Sequence, residues 1–245
     1  MKPTPNSPSE PRRLLVFGAH PDDIEFGCGG VIAGETQSGA TAHFVIGSRG
    51  EAATHGTPVQ RAAEAAAGAA LLGATLEFIE LGGDAHFQSS SAHVLSLAGL
   101  IRRHRPSLVL APTPAENQHP DHAVLGKMVR DATRLARYGG VEELRAEAPH
   151  AIDQLLFYAV TAEAGCPGKS PVLIDVSAPP ILAAWTAAMQ AHGSQQATRD
   201  YVELQLTRGR LHGLQSGVGH AIALWPNDPP VFSSLSPLVR AARRF

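Results

Sequence analysis

Short apolar runs alternate along this chain with stretches of helical periodicity, and the early runs each break into polar residues. The first, Leu14-Leu15-Val16-Phe17-Gly18-Ala19, gives way to His20-Pro21-Asp22-Asp23. A run rich in Leu, Val and Phe suits a central parallel strand buried on both faces, and Gly18 and Ala19 let the chain turn where it ends. Ile24 to Gln37 then predicts a helix closed by Ser38-Gly39, and Thr41 to Gly47 a second strand, which completes a strand–helix–strand unit. Thr57-Pro58 supplies an N-cap with proline at the first helical position, for a helix running to about Leu72 and capped by Gly73. Thr75 to Leu81 reads as the third strand. The serines at 89 to 91 start a helix that ends near His104, with Arg102, Arg103 and Arg105 placed to complement its dipole. Pro106 stops it, Ser107 to Ala111 is the fourth strand, and a helix follows from about Pro120 to Tyr138.

Beyond that point Gly139 to His150 is irregular, and its Glu/Arg mixture reads as surface. Leu155 to Val160 and Val172 to Val176 read as strands, and Pro179-Pro180 opens a helix through about Ala191. Ala197 to Leu214 reads as another helix, with Val202, Leu206 and Leu211 among its apolar positions, and His220 to Trp225 as a last strand. Alternating strands and helices without an internal repeat imply an α/β class, a Rossmann-like three-layer fold with a mainly parallel central sheet flanked by helices. The expected organisation is a flexible N-terminal arm over residues 1–11 and one domain over 12–245.

Composition narrows the setting. With 245 residues, 44% hydrophobic and 17% charged, the chain can bury a substantial core and has a globular balance. No stretch approaches the roughly 20 apolar residues of a spanning helix. Met1 to Pro11, rich in Pro and Ser without an apolar centre, does not read as a secretory signal. A formal charge of −2 gives no electrostatic case for nucleic acid. The basic ending, Arg240, Arg243 and Arg244, reads as a solvated tail. Cys28 and Cys166 form no disulfide framework, so the expected setting is reducing and cytoplasmic. Cys28 is near enough to the acidic loop to be weighed as a zinc ligand, but Gly27-Cys28-Gly29-Gly30 favours close packing at a helix start.

Four strand ends carry polar groups: His20, Asp22 and Asp23; Arg49 and Glu51; Asp84 and His86; His119, Asp121 and His122. In a parallel sheet these loops share one edge, and core packing does not require histidines and carboxylates there. A catalytic zinc takes three protein ligands and leaves one position open, and His20, Asp23 and His122 fit that count. The turn after the first strand holds acids where a dinucleotide enzyme would carry glycines, so a nucleotide-binding oxidoreductase is a poor reading. His55 and His86 either line a pocket or lie in exposed loops. His43, His93, His104, His150, His212 and His220 read as structural or surface residues.

The pair Ala19-His20-Pro21-Asp22-Asp23 and His119-Pro120-Asp121-His122 resembles the LmbE-like, PIG-L superfamily of zinc-dependent N-acetylglucosamine deacetylases. Ser48-Arg49-Gly50-Glu51 with Gly56-Thr57, the Glu64 helix, Asp84 and Ile174-Asp175-Val176-Ser177 are similar to the bacillithiol-pathway branch, and His192-Gly193-Ser194-Gln195 to a feature of that branch. The resemblance implies His20, Asp23 and His122 as ligands of Zn2+, with Fe2+ an alternative. It also implies Asp22 as general base, His119 facing the oxyanion, Asp121 as the partner that orients His119, and Arg49 and Asp84 as sugar contacts. An amino-sugar substrate and a homo-oligomer such as a hexamer go with it.

The chemistry supports those roles separately. Amide hydrolysis needs a nucleophile at neutral pH, and Zn2+ lowers the pKa of a bound water from 15.7 toward ~7 while polarising the carbonyl. Asp22, beside a ligand without being needed as one, can take the water proton. An imidazolium at His119, backed by Asp121, would stabilise the oxyanion. Gln195-Gln196, where an aromatic often follows the glutamine, and the ending Pro226 to Pro230 depart from the branch and bear on the aglycone. The expected activity is hydrolysis of the N-acetyl group of a GlcNAc-malate-like glycoside. The alternatives are a silent zinc-containing sugar-binding protein and an amidase acting on a non-sugar amide.

Overall fold

Strand β1 (Arg13–Gly18) is the axis of the sheet, paired in parallel with β2 (Thr41–Ile46) on one side and β4 (Leu108–Pro112) on the other. A computed structural model describes residues 11–197, 199–238 and 240–242. With β3 (Ala74–Phe78), β5 (Gln154–Tyr158), β6 (Val172–Asp175) and β7 (Ala221–Pro226), it forms a seven-stranded sheet in the order β3-β2-β1-β4-β5-β7-β6. Strands β1 to β5 run parallel, and β7 lies antiparallel to both β5 and β6. The α/β class and mainly parallel sheet expected from the alternation are present. The arm expected at residues 1–11 lies, Pro11 apart, outside the described residues, as do Arg243 and Arg244; Arg240 donates to the Ser216 carbonyl at 2.6 Å. No helix among the described residues is long and apolar enough to cross a membrane.

Leu15, Val16 and Phe17 are fully buried because helices cover both faces. Leu14 and Val16 join a cluster with side chains of α1 (Asp23–Gln37), α2 (Pro58–Leu71), α5 (Pro179–Gln190) and α6 (Tyr201–Ser216). Leu15 and Phe17 join the opposite cluster with α3 (Ser91–His104) and α4 (Pro120–Ala136). Each such side chain contributes roughly 1.5–3 kcal/mol by leaving water, so a charge at Val16 would undo the layer it faces.

Local chemistry sets the helix starts. Thr57 accepts from the Gln60 amide at 3.2 Å with Pro58 at the first turn, and Ser90 accepts from the His93 amide at 3.1 Å. Helix α6 starts at Tyr201 rather than Ala197, because Asp200 takes the cap position, accepting from Glu203 at 2.8 Å, and a 3₁₀ turn over Gly193–Gln196 precedes it. Strand β3 ends at Phe78 rather than Leu81, and the chain leaves through Gly82 and Gly83, both at positive φ.

Arg102 lies in the last turn of α3, as expected, and does more than complement its dipole. It is buried, and its guanidinium donates to the carbonyls of Ala136 (2.9 Å), Tyr138 (2.6 Å), Glu147 (2.9 Å) and Leu144. The irregular stretch after α4 is therefore held by one side chain that satisfies carbonyls no helix or strand would.

From β1 the chain proceeds outward to β2 and β3, then crosses back to β4 on the other side of β1. The reversal leaves a crevice at the carboxyl ends of β1 and β4, where α/β sheets bind ligands. Gly126 brings α4 hard against that edge: a Cβ there would lie 2.3 Å from the Pro112 carbonyl oxygen.

Candidate active site

Two loops meet at the crevice, one leading from β1 into α1 and the other from β4 into α4. Asp23, in the first turn of α1, accepts from the amides of Ala19 and His20 at 2.9 Å each through Oδ2. Its Oδ1 lies 3.0 Å from His122 Nε2, and His122 Nε2 lies 3.2 Å from His20 Nδ1. Burial opposes ionisation of Asp23, but His122, His20 and their hydrogen bonds outweigh it and hold the carboxyl well below the usual range.

His20 points its other nitrogen into carboxylates: Nε2 is 3.0 Å from Asp84 Oδ1 and 3.1 Å from Asp121 Oδ2. Burial would lower its pKa, yet the bonds to Asp121, Asp23 and Asp84 hold it well above the ordinary histidine value. When a cation takes Nδ1, those carboxylates hold the remaining proton on Nε2. The donor set fits a divalent cation. Two imidazole nitrogens and a carboxylate oxygen, separated by 3.0 and 3.2 Å, approach the edge of about 3.3 Å that tetrahedral ligands at 2.0–2.1 Å require. The buried Nδ1 of His122 has no hydrogen-bond partner, so Nε2 carries this ring's polar contacts. His119 also offers a nitrogen within 4.8 Å of those of His20 and His122. Asp23, which carries negative charge and is locked by two amides, and His119 are thus alternative third donors beside His20 and His122.

Asp22 precedes α1 at φ 109°, ψ −29°, a left-handed conformation that costs a non-glycine residue on the order of 1–3 kcal/mol. Burial and the neighbouring Asp23 charge push its carboxyl up to about 6, against the pull of Arg61. Arg61 is itself buried. Its Nη2 donates to the Pro21 carbonyl at 2.8 Å and to Asp22 Oδ2 at 3.2 Å.

His119 sits across from this face, its ring edge-on to His20 at 4.6 Å. Its Nδ1 accepts the Asp121 amide at 3.3 Å as the cap of α4, which leaves the proton of the neutral ring on Nε2. Two expectations change here. The Asp121 carboxylate does not orient the His119 ring; it accepts from the amides of Ala85 (2.7 Å) and Phe87 (3.2 Å) and meets His20. Burial, and then the neighbouring imidazole charge, push the His119 pKa down, which favours a neutral N–H donor over the expected imidazolium.

These groups open into a cavity of about 630 Å³, the size of a small-molecule site, with Phe26, Leu204 and Tyr201 on its apolar side. Asp84 lines it, buried, with Oδ2 accepting from Ala52 at 3.2 Å. Arg49 does not line it. Its guanidinium pairs with Glu80 at 2.7 Å over the Phe78 ring, and its backbone amide, not the side chain, meets Glu51. Cys28, on α1, is fully buried in the core, the packing role its glycine neighbours suggest. His55 and His86 are outside the cavity wall, whereas Gln195 is part of it.

What was not foreseen is Arg61 and the pairing of His192 with Glu25. Arg61 had a signal: it shares a helical stripe with Ala65, Gly68, Ala69 and Leu72, an arginine on an otherwise apolar face. His192 and Glu25, both fully buried, lie 3.4 Å apart behind the loop of Asp22, and Glu64 accepts from Ser194 N at 3.0 Å and Oγ at 2.6 Å to tie α2 to the same turn.

Residues 15–133 match the family described as PIG-L, GlcNAc-PI de-N-acetylase. The conserved protein TT1542 from Thermus thermophilus is 30% identical, with a TM-score of 0.80 over 93% of this chain and 99% of that one. The chain belongs to the PIG-L family. A 4-oxalmesaconate hydratase from Pseudomonas putida is 30% identical over 53% of this chain and 54% of its own length. A diacetylchitobiose deacetylase from Thermococcus kodakarensis is 28% identical over 60% of each. The chain thus spans little more than half the length of these curated relatives. Both are enzymes, one a deacetylase and one a hydratase.

Proposed function

We propose that the protein is a metal-dependent N-deacetylase that hydrolyses the N-acetyl group of a GlcNAc-bearing small molecule, a GlcNAc-malate-like glycoside, to free amine and acetate. The observation that carries this reading is the half-buried Asp22 carboxylate, with its pKa raised to about 6, beside the converging His20, Asp23 and His122 donors. The PIG-L family match and the chitobiose deacetylase relative support it.

His20, Asp23 and His122 would hold Zn2+, or Fe2+ in its place, and the bound ion would polarise the amide carbonyl and acidify the attacking water. Asp22 takes the proton from that water as it adds to the acetyl carbon. Neutral His119 donates its Nε2–H to the carbonyl oxygen as negative charge develops. When the C–N bond breaks, the proton held by Asp22 goes to the leaving nitrogen and acetate departs. Asp121 and Asp84 hold His20 in the tautomer that frees Nδ1. Asp84 also faces the cavity as an acceptor for sugar hydroxyls, while Arg49 would reach a ligand only by leaving Glu80. In this reading the chain is of the bacillithiol-pathway branch, works in the cytoplasm and assembles as a homo-oligomer such as a hexamer.

Acetate release from GlcNAc-malate, other N-acetylglucosaminides and simple N-acetyl amines tests the substrate class. Preference for the glycosides is expected; equal turnover of N-acetyl amines would move the activity to non-sugar amides. A second reading, addition of water to a carbon–carbon double bond, is favoured by the hydratase relative. Loss of substrate absorbance with 4-oxalmesaconate, and no acetate from any glycoside, would select it.

A further inference from the structure

We propose that His43, Glu77 and His104 form a second site for a divalent transition metal, separate from the candidate active site and at the opposite end of α3 from it. Both histidines read as structural or surface residues in the sequence and Glu77 carries no signal there, yet the fold converges them. His43 lies on β2, Glu77 on the edge strand β3, and His104 is the last residue of α3. The register pairs His43 with Thr75 and Val45 with Glu77, so His43 and Glu77 are diagonal neighbours on the face that α3 covers.

The Nε2 atoms of His43 and His104 lie 3.1 and 2.8 Å from the same oxygen, Glu77 Oε1. Their rings are stacked, with centroids 4.2 Å apart and planes 20° from parallel, so both nitrogens are offered side by side. The ligand atoms all fall within 4.8 Å of one another. His43 Nδ1 meets Thr75 Oγ1 at 2.6 Å, an outer contact of the kind that fixes a ligating imidazole's orientation. Without an ion, both rings can satisfy Nε2 only by donating to one carboxylate oxygen. A cation that takes both Nε2 lone pairs moves each neutral ring's proton to Nδ1, where in His43 it faces Thr75 Oγ1.

Two imidazoles and a carboxylate select Zn2+, Ni2+, Co2+ or Cu2+ over Mg2+ and Ca2+, which prefer all-oxygen shells. The position at the carboxyl end of α3 adds favourable dipole charge. Arg103 competes, its Nη2 lying 3.1 and 3.2 Å from the two Glu77 oxygens, but its side chain is 54% exposed and can turn to solvent. The competition makes this the weaker of the two sites. An ion here pins the edge strand β3 to β2 and α3.

Equilibrium dialysis against Zn2+ followed by metal analysis is the test. Wild type is expected to hold two ions per chain, His43→Gln and His104→Gln one each, and both variants to keep their glycoside activity. In the wild type, the ¹⁵N resonances of both Nε2 atoms should shift together on the second equivalent, a reading that stands even if a variant fails to fold. One ion per wild-type chain, a second ion retained in both variants, or unshifted Nε2 resonances would overturn the proposal.

Discussion

Arg61 and Asp22, 39 residues apart in sequence, meet at 3.2 Å where α2 leans over the start of α1. Burial and Asp23 raise the Asp22 carboxyl to about 6, and Arg61 pulls against them. The working form of a general base is deprotonated, so activity falls as pH drops through that pKa. A bound cation lowers the pKa, which places the acid limb at or below pH 6. Arg61→Met removes the pull in the other direction. Its acid limb should move to higher pH, with a loss of roughly ten- to a hundredfold at pH 6 and less at pH 8, the scale of one lost bond to a charged group. A pH–rate profile checks this, and an unshifted limb would count against the pairing.

Gly126 allows α4 to sit on the end of β4. A methyl there would meet the Pro112 carbonyl oxygen at 2.3 Å and Pro114 N at 3.1 Å, and backbone atoms cannot swing aside. Helix propensity favours Gly126→Ala by about 1 kcal/mol, while forced overpacking costs about 1–3 kcal/mol. The expected outcome is a net loss of stability in urea unfolding, together with weaker metal binding, because α4 carries His122 and is capped by His119.

Asp121 serves His20 and the amides of Ala85 and Phe87. Asp121→Ala should weaken metal affinity about 10- to 100-fold while leaving all three proposed ligands in place. Competition against a zinc chelator measures it. An unchanged affinity would show that Asp84 alone suffices to hold His20.

His192 and Glu25 form a buried pair whose effect on stability depends on pH. Burial lowers the His192 pKa, but Glu25, Asp22 and Glu64 outweigh it and leave it raised above 6.5. Its contribution is therefore complete below pH 6.5 and fades as pH rises through the folded-state value. Glu25→Gln should cost about 3 kcal/mol at pH 6 and less at pH 9, read from urea midpoints at the two pH values. An equal cost at both would exclude the charged pair.

Periodicity was enough to locate the strands and helices, because β1 and β4 are apolar on both faces and Thr57-Pro58, Ser90 and Pro120 announce helix starts locally. The grouping of His20, Asp23 and His122 was legible for a related reason: each follows a strand end, and parallel strands share an edge. What sequence could not give was which partner each side chain takes. Asp121 looked like the neighbour of His119, but the first turn of α4 aims its carboxylate at the loop after β3. Arg61 and Glu25 sit inside helices whose buried faces depend on α2 and the turn at His192 closing over α1. His43, Glu77 and His104 come from three separate elements, with no spacing in common.

The most direct measurement is acetate release from GlcNAc-malate by protein stripped of metal and then reloaded with zinc, for wild type and Asp22→Asn. The wild type should lose activity on stripping and regain it on reloading. Asp22→Asn should bind zinc at the catalytic face yet run about 10²- to 10⁴-fold slower, the range general bases contribute. Full activity in Asp22→Asn, or acetate release by the stripped wild type at its original rate, would contradict a metal-assisted hydrolysis with Asp22 as its base.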